Sequence, residues 1–396
     1  FEPEKHYRLV NQCKDGSFGF SSAAFSIYHH GNNERGLSRD TPFGMARFGS
    51  EMIYPLSFFQ RPGVMDAKGC IMTGKPGIVG GHTERKVKER ILRKFAAEII
   101  EIYKETADLS QRVYVRFLDW ESAEFLVKLG FRLVTPMDNP WDKQAYIEDE
   151  GYNHSIIDIP LLRRRLIHEG KNGEKDEIGA KVRHGHNAFT YFLNRNGLVY
   201  ALHRIKKTDD GVKEVEASAL PLVKRHFEAL KRLEMDVCSV WQDYVSLLSP
   251  QILRLPNVHA YIGYLTTFDG KKVPVSVFIG EEIAKNQVGM YCTITDYRES
   301  ERILVNLGLD PKAQVDNLSM LIRNGDRAIV DVGMGFNHLA SYATITCMQE
   351  LNRDGILIAK LGGSELERLD EGKRRIGAQP DPTFWVYYEI PLIGGG

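Results

Sequence analysis

The carboxylates, lysines and glycines best placed to do chemistry lie in the last stretch of the chain. Asp331 closes the apolar run Ala328-Ile329-Val330, and Gly333 and Gly335 separate it from Asn337. An apolar strand over 356–361 runs into Gly362-Gly363-Ser364-Glu365, and Lys373 follows beside Arg374 and Arg375. A strand that stops at Gly-Gly leaves backbone N–H groups facing a cleft, which suits a carbonyl oxygen that becomes an oxyanion. Lys373, pointing into the same cleft, would neutralise that oxyanion or a donor phosphate. Glu365 or Asp331 would bind or deprotonate an attacking amine, because an ammonium must lose a proton before it attacks. These are the parts of an acyl transfer by direct attack. No Cys or Ser stands in a nucleophile-elbow or triad context, so no covalent enzyme intermediate is expected.

Each of these residues also has a plainer use. Lys373 with Arg374 and Arg375 makes a solvated basic corner. Glu365 suits the acidic first turn of a helix, and Asn337 suits an N-cap. Tyr291 and Arg298, around a strand at 288–294, would line an acceptor pocket, and Tyr291 serves equally as core. His184-Gly185-His186, read as an extended segment, puts two imidazoles on one side. No third ligand is spaced to join them, so hydrogen-bonded or exposed histidines are expected, and no metal.

The elements that must position these groups recur. The first half reads as strand 69–73, helix 83–106, strand 112–118, helix 121–129 and strand 131–135. The second reads as strand 288–294, helix 336–352, strand 356–361, helix 365–376 and strand 383–390. In the first long helix Val87, Ile91, Phe95, Ile99 and Tyr103 share one face, and Thr83 is a good N-cap. The segment 170–177 is polar and reads as a loop, and near Thr208-Asp209-Asp210-Gly211 the composition turns polar again. A helix is expected from Ala219 to Met235, another from Val240 to Leu253, and a hairpin turn at Phe268-Asp269-Gly270-Lys271. The expected fold class is therefore mixed α/β (α+β), with two similar domains, each a mixed central sheet flanked by helices. Their bounds are set at residues 1–150, a connecting region 151–215, and a catalytic domain 216–396.

Composition narrows the partners. The chain has 396 residues, 43% hydrophobic and 26% charged, with 52 basic and 52 acidic residues. That is long enough for two ordinary domains, and a formal net charge of zero advertises no global affinity for nucleic acid. Any RNA contact must come from local patches. Arg85, Lys86, Lys88, Arg90 and Lys94 share one helix, Arg163, Arg164 and Arg165 another, and Lys181, Arg183, Arg204, Lys206 and Lys207 follow. The five cysteines are odd in number and widely spaced, which fits a reducing cytoplasm. No transmembrane run or signal-peptide core is read, so a cytoplasmic location is expected.

The closing segment Asn352-Arg353-Asp354-Gly355, Ile356-Leu357-Ile358-Ala359, Gly362-Gly363-Ser364-Glu365 and Gly372-Lys373-Arg374-Arg375-Ile376-Gly377 resembles that of tandem GNAT-fold transferases. The likeness is to the catalytic part of phosphatidylglycerol lysyltransferases and to the Fem peptidoglycan-bridge transferases. Gly74-Lys75-Pro76-Gly77 before the first long helix and Lys128-Leu129-Gly130-Phe131 extend the resemblance over most of 65–390. Where that group often has Phe before the Lys, this chain has Gly372. The resemblance implies two tandem GNAT-like domains and an aminoacyl-tRNA donor whose aminoacyl group passes to an amine or hydroxyl, on a small molecule or a lipid. Relatives with ordinary GNAT chemistry use acyl-CoA, held on a glycine-rich loop that opens a helix. Here Gly77, Gly80 and Gly81 before Thr83 form only part of such a loop, without its leading Gln or Arg, and Pro76 removes one donor. That favours tRNA, with Lys75, Gly80, Gly81, Arg163 and Arg164 as phosphate contacts and no tightly bound cofactor. An acyl-CoA-dependent N-acyltransferase and an inactive binding protein of this fold are the alternatives.

Overall fold

The computed structural model describes residues 8, 12–13, 43–48, 52–59, 70–78, 84–105, 112–134, 154–167, 176–232, 245, 247–296, 299–310, 335–362, 367–381 and 383–389. Within them lie two mixed β-sheets, each flanked by helices. The strands are β1 (Phe43–Phe48), β2 (Met52–Phe59), β3 (Cys70–Gly74), β4 (Gly77–Ile78), β5 (Arg112–Leu118), β6 (Arg132–Leu133) and β7 (Ser155–Asp158). They continue with β8 (Leu198–Arg204), β9 (Val258–Thr267), β10 (Lys272–Ala284), β11 (Gln287–Thr295), β12 (Ile358–Lys360), β13 (Gln379–Pro380) and β14 (Phe384–Glu389).

The first sheet runs β1-β2-β3-β5-β14-β6, with β4 on β2. Helix α1 (Arg85–Glu105) packs on it because Ile91, Phe95, Ile99 and Tyr103 fall on one face and are all buried. The expected N-cap Thr83 lies outside the described residues. Helix α2 (Trp120–Lys128) starts where Asp119 accepts a hydrogen bond from the Ser122 N–H. These helices, with Val113, Val115, Leu118 and Val386, close one core.

The second sheet runs β13-β7-β12-β11-β10-β9-β8 and is covered on both faces. Strands β9 and β10 are buried almost throughout, as central strands between two helical layers must be. One face carries α3 (Ile159–Ile167), α4 (Glu177–Arg195) and, later in the chain, the helix Leu339–Arg353. The other carries α5 (Asp209–Glu214), a π-turn at Val215–Ala219 and α6 (Leu220–Arg232). The remaining helices are α7 (Pro250–Leu253), α8 (Ser300–Asn306), α9 (Leu339–Arg353) and α10 (Glu367–Arg375).

One polar stretch is placed and one expectation is corrected. Asp209-Asp210-Gly211 opens α5. Acids are favourable at a helix N-terminus, and a Cβ at Gly211 would run into the Lys206 carbonyl. His184-Gly185-His186 lies in helix α4, not in an extended chain. There the imidazoles diverge, His184 toward His338 and His186 onto Tyr342.

The repeated order of elements is present, but the sheets do not divide at residues 150 and 215. Strand β7, which follows the first unit, inserts between β12 and β13 of the second sheet. Strand β14, at the end of the second unit, inserts between β5 and β6 of the first. Each unit therefore completes the other's sheet. Strand β8 and helices α3 and α4, from the expected connecting region, also belong to the second sheet and its core. Residue patterning marks a strand but does not name its partner, so the exchange is invisible without the structure.

Candidate active site

Both sheets contain one parallel pair, β3 with β5 and β11 with β12. The carboxyl ends of β5 and β12 meet where the exchanged strands β7 and β14 begin. Ligands of α/β sheets gather at the carboxyl ends of parallel strands.

On the first-sheet side, Arg116 and Phe117 together face the single residue Trp385, because the β5–β14 register slips by one between Phe384 and Val386. Such a bulge bends the strand and re-aims its side chains. Phe117 sits at φ 60°, in the left-handed region that non-glycine residues seldom occupy. The Arg116 guanidinium lies over the Phe117 ring at 5.0 Å and over Trp385 at 5.5 Å. The Phe117 ring also packs on the His154 imidazole, centroids 5.0 Å apart, and this contact joins the two sheets.

On the second-sheet side, His154 precedes β7, and Lys360 ends β12. Among the described side chains of α10, Lys373 is the buried one, and it donates from Nζ to the Gly362 carbonyl at 2.9 Å. Burying an ammonium is costly unless it is hydrogen-bonded. The same carbonyl accepts from the Ser155 N–H at 3.1 Å, and Gly362 takes φ 69°, which glycine tolerates. Lys360 lies 3.8 Å from Asp381, whose N–H donates to the His154 carbonyl. Burial first, then the charges of Lys373, Lys360 and Arg116, push the His154 imidazole down from 6.5 to about 3. At neutral pH it is an uncharged ring in a positive field.

Beside this cluster the second sheet opens. Strand β12 pairs with β11 only from Gln287–Ile358 to Gly289–Lys360, while β11 continues to Thr295 along β10. Tyr291 has no counterpart in the β10 register, so β11 bulges just past the last β12 pair. Among the described residues, no strand covers that edge of β11 beyond Gly289.

Of the residues singled out in the sequence, Lys373 and Gly362 come together here. It is the Gly362 carbonyl, not its N–H, that meets Lys373. Tyr291 packs partly buried with the α6-side core. Lys75 ends up on Asp119, 2.7 Å away, and Lys88 reaches the same carboxylate at 3.3 Å. Burial works to raise the Asp119 carboxyl, but Lys75, the Ser122 N–H and Lys88 outweigh it and hold it well below the usual range. Lys75 is thus part of an ion-pair network at the start of α2. Arg163 and Arg164 are exposed on α3, and Arg163 lines a 370 Å³ cleft against α9. Arg204 and Lys207 tie β8 to its neighbours through Asp354 and the carbonyls of Leu255 and Pro256. The N-cap position of α9 is His338, preceded by a 3₁₀ turn that contains Asn337. Asp331, Gly363, Glu365, Arg298, Gly80 and Gly81 lie outside the described residues, as does the side chain of Asn337.

The sequence reading passed over His154, Arg116, Phe117, Lys360 and Trp385. The signal available was weak: a His directly before an apolar strand, and an Arg-Phe pair ending another.

No protein-family model matches the sequence, and no curated protein matches it. Solved structures do. A conserved protein of unknown function from Bacteroides thetaiotaomicron superposes with a TM-score of 0.57 at 12% identity, over 98% of this chain and 96% of that one. FemX superposes with a TM-score of 0.56 at 12% identity, again over 98% and 96%. The C-terminal domain assigned to a lysylphosphatidylglycerol synthetase of Agrobacterium fabrum gives 0.47 at 9% identity, over 97% and 91%. The chain thus has the fold of FemX over nearly its whole length, in keeping with the Fem resemblance of residues 352–377.

Proposed function

We propose that this protein is an acyltransferase that moves an aminoacyl group from aminoacyl-tRNA onto an amine or hydroxyl by direct attack. The observation that carries the reading is the positive, partly aromatic cluster at the strand exchange, where Lys373, Lys360 and Arg116 surround a neutral His154. Such a cluster suits the 3′ end of a tRNA. The cations take phosphate, and Phe117 and Trp385 offer ring faces for an unstacked base. Lys373 then stands beside the ester carbonyl and stabilises the oxyanion as the acceptor attacks. Glu365 or Asp331 binds or deprotonates the acceptor, and the backbone at Gly362 and Gly363 shapes the cleft. His154 is a poor base while it is buried beside Lys373, Lys360 and Arg116. A bound phosphate would offset their charge and raise its imidazole toward the range where it accepts a proton. The fold shared with FemX and the sequence likeness to Fem transferases support the choice of donor.

A second reading, an acyl-CoA-dependent N-acyltransferase, is favoured by one feature. The uncovered edge of β11 can pair with an extended, amide-bearing donor arm, as a strand edge pairs with a peptide. Incubation of the protein and a cell extract with labelled aminoacyl-tRNAs, and separately with labelled acyl-CoAs, decides between them. The expected result is a labelled product from aminoacyl-tRNA that ribonuclease abolishes. Label arriving only from acyl-CoA selects the second reading, and no transfer from either donor points to a binding protein.

A further inference from the structure

The two outer strands of the second sheet are finished differently. Strand β13 is two residues long and holds Pro380, so it offers little to an incoming strand. Strand β8 is seven residues long and has no proline, and among the described residues no strand lies beyond it. Its run Leu198-Val199-Tyr200-Ala201-Leu202 has the apolar, strand-favouring character of an interior strand.

The backbone of β8 bonds on one side. The Ile205 N–H donates to the Ala260 carbonyl at 2.8 Å, one step past the last pair of the β8–β9 register. In an antiparallel ladder, hydrogen-bonded pairs alternate with non-hydrogen-bonded ones. Val199, Ala201 and His203 therefore bond inward to β9, while Leu198, Tyr200, Leu202 and Arg204 turn their N–H and C=O groups outward. Among the described residues nothing hydrogen-bonds to those outward groups. Such a row is a template for another extended segment. Apolar surface accompanies it. Val199 is 51% exposed, and Phe268, 87% exposed, has its ring 3.1 Å from where a Cβ of Gly197 would stand, just before β8.

The strand is complementary to a second copy of itself. Antiparallel pairing about Ala201 sets Leu198 opposite Arg204 and Tyr200 opposite Leu202. All four have outward backbone groups, so the whole strand is used. Ala201 then meets its own counterpart in a non-hydrogen-bonded pair, where Cα atoms approach to about 4.5 Å and a small side chain fits. The basic residues do not confront each other, because His203 falls opposite Val199 and Arg204 opposite Leu198. Both are also engaged within the chain, Arg204 with Asp354 at 3.0 Å and His203 with Lys272 at 3.2 Å.

We propose that two copies of this chain pair through β8, antiparallel about Ala201, so that one sheet runs through both. The proposal does not rest on the transferase reading, because β8 lies at the opposite end of the sheet from β7 and β12.

Sedimentation of the whole chain over a concentration series should show twice the chain mass at the higher concentrations. Leu202→Pro removes an outward N–H and none that bonds to β9, and should raise the dimer dissociation constant by about tenfold or more at an unchanged circular dichroism spectrum. Ala201→Cys should cross-link to its own counterpart under mild oxidation, since a non-hydrogen-bonded pair lies within disulfide reach. Val199→Cys should not, because the two copies of residue 199 would stand four positions, about 13 Å, apart. If the proline variant does not fold, peptide mapping of the cysteine cross-links decides. A chain that stays monomeric throughout the series overturns the proposal. So does a dimer that Leu202→Pro leaves intact, or one in which Ala201→Cys forms no 201–201 bridge, since the contact then lies on another face.

Discussion

The two halves place equivalent elements around the end of a parallel strand pair but treat their cations differently. In the first half, Lys75 and Lys88 meet the carboxylate of Asp119, which also caps α2. In the second, Lys373 of the matching helix donates to the Gly362 carbonyl, beside an imidazole that burial first and then the neighbouring cations keep neutral. The first arrangement fixes a helix start through ion pairs; the second places a buried ammonium at the end of a strand.

The comparison breaks or sharpens under substitution. Lys373→Ala should lower the transfer rate on the order of a hundredfold or more in single-turnover kinetics. Lys75→Ala should leave that rate near wild type and lower the melting temperature instead; the reverse pattern would exchange the roles. Asp119→Ala removes a cap and two ion-pair contacts at once and should cost about 1–2 kcal/mol in chemical denaturation. The glycines after α2 and α10 give a finer contrast. Gly130 and Gly377 both take positive φ, 100° and 91°. A Cβ at Gly130 meets Tyr388 at an ordinary 3.8 Å, whereas one at Gly377 comes within 3.0 Å of Leu162. Gly130→Ala should cost about 1 kcal/mol, and Gly377→Ala measurably more.

The smallest effect is a pH slope. His154 binds its proton less readily in the folded chain than in the unfolded one, so its contribution to stability is full above pH 6.5 and is lost as pH falls from there toward 3. The melting temperature should drop between pH 7 and 5, and His154→Gln should flatten part of that drop. An unchanged slope would mean that the imidazole is neither buried nor held beside those cations in the folded chain.

Much of this was legible in the chain itself. Apolar spacing located α1, and glycine breaks bounded β12 and α10. The inward Lys of α10 stood out because its neighbours at 374 and 375 are charged while Leu369 and Ile376 are not. What was hidden has physical causes. Which strand pairs with which is settled by long-range contact, so 155–158 and 384–389 gave no hint that they change places. The bulge at Arg116–Phe117 and the left-handed backbone of Phe117 arise from the slipped register with β14, which no local pattern encodes. His154 takes its character from burial and three cations drawn from distant segments. The helical setting of His184 and His186 was not read because Gly185 between them suits an extended segment as well as a helix.

The reciprocal placement of β7 and β14 also constrains how the molecule is made. Arg112 and Glu389 bond across 277 residues of chain, so the first sheet lacks an interior strand until residues 384–389 have left the ribosome. The early-synthesised half must wait, with β5 and β6 unjoined, and is open to mispairing during that interval. Removing 384–389 should therefore unravel residues near 112–133, read as lost hydrogen-exchange protection there.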